Sequence, residues 1–124
     1  FDDKKMLKAS INTIQKNSLD KPFPLRYWNN KKYGRFLFFP SLFAPHYETD
    51  AIWIHLGLCY LDTIAKYDKK LLKTHLKEYT KLIKEHHNFM EVYKEDGRLY
   101  ISLFYHCDES MIWCAKYLHL LHMV

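Results

Sequence analysis

The strongest constraint on the fold is a pair of helical patterns that meet with almost no chain between them. From Thr49 or Asp50 to about Tyr67, Ile54, Leu58, Leu61, Ile64 and Ala65 recur at helical spacing, and Ile52, Trp53, Leu56 and Cys59 widen that face almost all round. A helix with so little polar surface is expected to be largely buried. Either Thr49 or Asp50 is suited to accept a first-turn N–H as its N-cap. Asp68 caps the next helix, which runs to about His86 with Leu72, His75, Leu76, Tyr79, Leu82 and Ile83 on one side and lysines on the other. The short junction at Tyr67 and Asp68 folds the two into an antiparallel hairpin.

Two further helices flank this unit. Asp2 and Asp3 sit where acidic residues favour a helix start, Met6, Leu7, Ile11 and Ile14 follow at spacings of three and four, and Asn17-Ser18 stops the pattern. Near the other end, Asp108 and Glu109 open a helix whose expected apolar side is Met111, Ile112, Ala115, Leu118 and Leu121. Between the first two helices, Leu19 to Tyr47 keeps no clean period. Pro22, Pro24, Pro40 and Pro45 punctuate it, Arg35 to Phe39 is its one strand-like run, and its many rings argue against disorder. Asp96-Gly97, between Val92-Tyr93 and Leu99-Tyr100-Ile101, predicts a small β-hairpin. The expectation is a mainly α module of about four helices with long aromatic loops, and 124 residues suit one domain. Only three Gly and four Pro stand against a turn-rich all-β fold.

Several function classes are disfavoured by composition. The formal charge of +5 comes mostly from lysines interleaved with acids on helix faces, and arginine occurs only at Arg26, Arg35 and Arg98. That is a solvated surface rather than the dense basic stripe of a nucleic-acid binder. No apolar run reaches transmembrane length and no signal peptide is visible. Cys59, Cys107 and Cys114 are odd in number and include no CxxC pair, so no disulfide framework is expected and a cytoplasmic setting fits. His86-His87, His106-Cys107-Asp108 and His119 with His122 lack a strong zinc spacing, so neither metal nor cofactor is expected. His55 and His75 read as core or boundary histidines. Because the chain begins at Phe1, it is expected to be a piece of something longer.

Asn88-Phe89-Met90-Glu91-Val92-Tyr93, Asp96-Gly97-Arg98-Leu99-Tyr100, Ser102 and Ser110-Met111-Ile112-Trp113 form an ordered set. It resembles the C-terminal catalytic segment of (α/α)6-barrel glycoside hydrolases of the glycogen-debranching (amylo-1,6-glucosidase) type. Upstream, Pro45 to Trp53 resembles that family's tyrosine-containing loop before an Ile-Trp helix start. Thr49-Asp50 stands where the family commonly has Asn-Gly. The similarity covers roughly His46 to Leu118.

The resemblance implies a partial (α/α) toroid, part of a larger barrel or completed by self-association or another chain. It also implies a glycoside hydrolase acting on α-glucan-type oligosaccharides, with Glu91 as general base. Hydrolysis of a glycosidic bond needs one protonated and one ionised carboxyl group flanking it. The family's acid normally lies well upstream, beyond the start of this chain, so no residue here takes that role by motif and Asp50 is a candidate by position alone. His46, Tyr47, Trp53, Tyr93 and Trp113 are the expected sugar contacts, the rings by stacking. The contrasting expectation is a non-catalytic helical module that binds a partner or itself through the aromatic segment from Tyr27 to Tyr47.

Overall fold

The computed structural model describes residues 3–28, 42–47 and 49–124. Among them the chain is mainly helical, with helices α1 (Lys4–Lys16), α2 (Ile54–Ala65), α3 (Lys69–His86) and α4 (Met111–Leu121), and strands β1 (Ile52–Trp53) and β2 (Val92–Tyr93). The expected strand-like run at Arg35 to Phe39, with most of the aromatic segment around it, lies outside the described residues, as does Asp2. No described helix is long and apolar enough to cross a membrane.

Asp3 caps α1, its Oδ1 accepting from the Met6 N–H at 3.0 Å. The helix ends at Lys16. It lies at the edge of the body, touching the core through half-buried Ile11 and Ile14.

The central hairpin follows its periodicity, except that Cys59 is exposed and Tyr60 is buried in its place, because the covered face of α2 is set by where α3 packs. Asp68 caps α3 by accepting from the Leu71 N–H at 2.9 Å. Leu72, His75, Leu76, Tyr79 and Leu82 are its buried residues. They meet Ile54, Leu58, Tyr60, Leu61, Ile64 and Ala65 of α2 in the main core. Gly57 is required at the closest approach, because a methyl there would run into the Tyr79 hydroxyl and the Pro24 carbonyl.

The start of α2 differs from expectation. Thr49 and Asp50 do not cap it; they form a turn in which the Thr49 and Ala51 N–H groups both donate to the His46 carbonyl. Ile52 and Trp53 are extended, pairing antiparallel with Tyr93 and Val92. Bulky β-formers gain more here from a cross-strand partner than from an extra helical turn. The Asp96-Gly97 turn is present, with Gly97 at φ 85° and its N–H donating to the Lys94 carbonyl. The expected hairpin is present but short: a Tyr93–Leu99 bridge flanked by the Lys94 N–H donating to the Arg98 carbonyl and the Tyr100 N–H donating to the Val92 carbonyl, with β1 paired on the other edge of β2.

The last helix needs the larger correction. It starts after Ser110 rather than at Asp108, and of its expected inner side only Leu121 packs inward: Met111 is 73% and Ile112 86% exposed, and Ala115 and Leu118 also face outward. Tyr117 and Leu120 are buried instead, with Trp113, Cys114 and Leu121 packed beside them. Lys116 sits between these faces, its Nζ 2.8 Å from Asp62. Being apolar nearly all round, α4 offers two greasy stripes, and only the one that fits α2 and α3 is covered.

Candidate functional site

A second, smaller cluster lies on the other face of the two-stranded ladder. Ala51, Val92 and Tyr100 are its buried centre, and Tyr47, Trp53, Tyr105 and Cys107 pack against them. Side chains alternate faces along a strand, so Ile52 and Tyr93 point into the helical core while Trp53 and Val92 point into this cluster.

Its rings form a connected row. The Tyr105 and Tyr47 centroids are 4.8 Å apart, Tyr47 and Trp53 4.6 Å, Trp53 and His55 5.3 Å, and His55 and Trp113 5.6 Å. Tyr100 joins from the side at 5.3 Å from Tyr47. Polar contacts fix the row. Trp53 Nε1 donates to the Tyr47 carbonyl at 3.1 Å, the Tyr47 hydroxyl donates to the Tyr105 hydroxyl at 3.1 Å, and the Tyr100 hydroxyl donates to the Pro45 carbonyl.

Two carboxylates act on this network electrostatically, through different rings. Burial, then the Tyr47 ring and the Asp50 carboxylate, push the Tyr100 hydroxyl up to about 12. Burial and the hydrogen bond from Tyr47 push Tyr105 well above the usual phenol range, and the Glu91 charge adds to this. Both hydroxyls therefore stay protonated at physiological pH and remain hydrogen-bond donors. Burial also raises the Cys107 thiol, against the lowering effect of the Val92 N–H at 3.1 Å, so Cys107 packs as a thiol.

Glu91 is half-buried. Its N–H donates to the Asp108 carbonyl and its carbonyl accepts from the Ile54 N–H, which ties its backbone to the helix starts on either side. Asp50 is almost fully buried; its Oδ1 lies 3.7 Å from His46 Nδ1 and 3.4 Å from Thr49 Oγ1. Asp50 and His46 line a cleft of about 430 Å3, with Tyr100 at its wall and Lys94, Asp96 and Arg98 on its hairpin side. Asp96 is held below the usual carboxylate range by its hydrogen bond to Arg98. A smaller hollow of about 310 Å3 lies against Tyr27, Trp53, His55 and Leu56.

The structure thus sets Tyr47, Trp53 and Trp113 in one row of rings and Asp50 with His46 in the cleft that Tyr100 joins to it, while Glu91 lines neither the cleft nor the hollow. Among the expected rings Tyr93 is the exception. It is 2% exposed, its ring set edge-on against Phe23 at 5.1 Å in the helical core, so it has no face to offer a sugar. Tyr100 and Tyr105 were not anticipated as site residues. Tyr100 closes the Asp96 to Tyr100 motif without a role assigned to it, and Tyr105 follows in an aromatic run with no helical period and no metal or nucleophile motif. Among the described residues, no group of three or more His, Cys, Asp or Glu is placed to hold a metal ion. Comparisons with family models, with curated proteins and with solved structures find no match for this chain.

Proposed function

We propose that this chain is a carbohydrate-active module of the glycoside hydrolase type, acting on α-glucan-type oligosaccharides with Glu91 as general base. The observation that carries the reading is the row of rings, joined through Tyr100 to the cleft that holds Asp50 and His46. Stacked rings suit the apolar faces of successive sugars, and the tyrosine hydroxyls and Asp50 suit their hydroxyl groups. Glycoside hydrolysis requires two carboxyl groups, and in this reading Asp50, buried beside His46, is the candidate acid to the Glu91 base. In this reading the helix hairpin is one unit of an (α/α) toroid.

The test is a titration with maltooligosaccharides, followed by tryptophan fluorescence and by release of reducing ends. Saturable quenching is expected, lost in Trp53→Ala and kept in Glu91→Gln. Any hydrolysis is expected to disappear in Glu91→Gln with the helical circular-dichroism spectrum intact. Undiminished hydrolysis in that variant would remove Glu91 from the mechanism, and no saturable binding would remove the carbohydrate reading.

The second reading is a non-catalytic interaction module. It is favoured by the outward stripe of α4 and by Leu103 and Phe104, which stand 86% and 64% exposed.

A further inference from the structure

A second titratable cluster lies away from the rings, where three pieces of chain meet. Asp20 follows α1 and begins a strap, residues 20–27, that crosses the α2–α3 hairpin. His75 stands mid-way along α3 and Tyr60 on α2. The Asp20 and His75 side chains are each 3% exposed, with His75 Nε2 3.7 Å from Asp20 Oδ2. The Tyr60 and His75 rings are 6.1 Å apart. Asp20 Oδ1, His75 Nε2 and the Tyr60 hydroxyl are all buried without a hydrogen-bond partner in the protein. Buried polar groups are nearly always paired, so three orphans at one junction make a junction sensitive to charge.

The strap is otherwise well anchored, and its anchors lead to the candidate site. Phe23 is buried against Tyr79 and Tyr93. The Pro24 carbonyl accepts from the Tyr79 hydroxyl. The Leu25 carbonyl accepts the Trp53 N–H at 2.9 Å, and the Tyr27 N–H donates to the Ala51 carbonyl at 3.1 Å. Arg26 lies 3.6 Å from Glu95. The strap therefore holds β1, the element that aims Trp53 into the ring row.

We propose that Asp20, His75 and Tyr60 form a proton-operated latch: the strap is held on the hairpin while His75 is neutral and loosens when the imidazole takes up a proton. Charging a buried imidazole costs desolvation, and at 3.7 Å, without a hydrogen bond, the Asp20 carboxylate recovers only part of it. Lys21 on the strap opposes the added charge, Glu78 on α3 favours it, and burial dominates, leaving His75 below its ordinary value. On the α2 side the facing group is Tyr60, whose hydroxyl burial and the Asp20 and Asp68 charges keep protonated. Above about pH 6.5 the imidazole is neutral whether the strap is docked or free. As pH falls through that value the released form takes the proton first, and the latch weakens.

The experiment is amide hydrogen exchange at about pH 7.5 and about pH 5.5, expressed as protection factors, alongside an NMR titration of the His75 imidazole. Protection of the Trp53 and Tyr27 amides is expected to fall with pH, by at most about tenfold per pH unit for one linked proton. Amides in the middle of α3 keep theirs. In His75→Gln the fall at the strap amides is expected to vanish, and the wild-type His75 midpoint is expected below 6.5. A midpoint at or above that value, an equal fall in His75→Gln, or an equal fall across α3 would each overturn the latch. If His75→Gln does not fold, Asp20→Asn serves: removing the carboxylate should lower the His75 midpoint further, and an upward move would refute the proposal.

Discussion

Among the described residues, two histidine–aspartate couples have the same length and opposite setting. His46 and Asp50 lie 3.7 Å apart with the imidazole 56% exposed, and His75 and Asp20 lie 3.7 Å apart with both side chains 3% exposed. At the cleft the imidazole stands open to solvent. Inside the core a proton must enter a place where water cannot solvate it. Distance alone therefore does not decide what an acid–base couple does; the medium around it does. The exposed couple suits chemistry with a ligand, and the buried one suits control of whether the strap stays docked.

The largest expected effect comes from breaking the ground on which the buried couple rests. Gly57→Ala would push the Pro24 carbonyl and Tyr79 hydroxyl off α2. A loss of about 3 kcal/mol in denaturant unfolding is expected, as for overpacking in a tight core. Tyr79→Phe, which leaves the Pro24 carbonyl without its donor, is expected to cost about 1–2 kcal/mol in the same assay. Next comes pH. Because the folded value of His75 lies below its unfolded one, its share of stability is complete above about pH 6.5 and is lost below it, by at most about 1.4 kcal/mol per pH unit. Urea titrations across that range should show this slope in wild type and its reduction in His75→Gln. The smallest stability effect belongs to the exposed couple. His46→Ala is expected to stay within about 0.5 kcal/mol of wild type. Its oligosaccharide binding should weaken about fivefold to tenfold by calorimetry, the worth of one hydrogen bond. If His46→Ala proved as destabilising as Tyr79→Phe, exposure would not separate the two couples.

The helices show where sequence reading works and where it stops. On α3, lysines on one side and apolar residues on the other allow a single orientation, and the buried set follows directly from the spacing. On α4 the contrast is missing, since Met111, Ile112 and Leu118 are as apolar as Trp113, Tyr117 and Leu120. Its orientation was settled by which stripe fits α2 and α3. His75 was legible as a core histidine, yet its unpaired Nε2 was not, because its neighbour Asp20 is 55 positions away in the chain. Much the same holds at the candidate site. Tyr47, Trp53, Trp113 and Tyr100 stood within motifs, whereas Tyr105 entered only because the chain folds it back against Tyr47.

Local pattern by itself determined the helical class, the capped hairpin at Asp68, the Asp96-Gly97 turn and the stretch around Glu91. These depend on neighbours within a few residues, and near-neighbour physics is written in the order of the chain. Tertiary structure alone decided that Ile52-Trp53 would be a strand and that Tyr93 would face the core with Trp53 facing the rings. It also decided which side of α4 would be covered and which histidine–aspartate couple would be dry. Each of those depends on contacts between distant segments, where burial and shape override local preference.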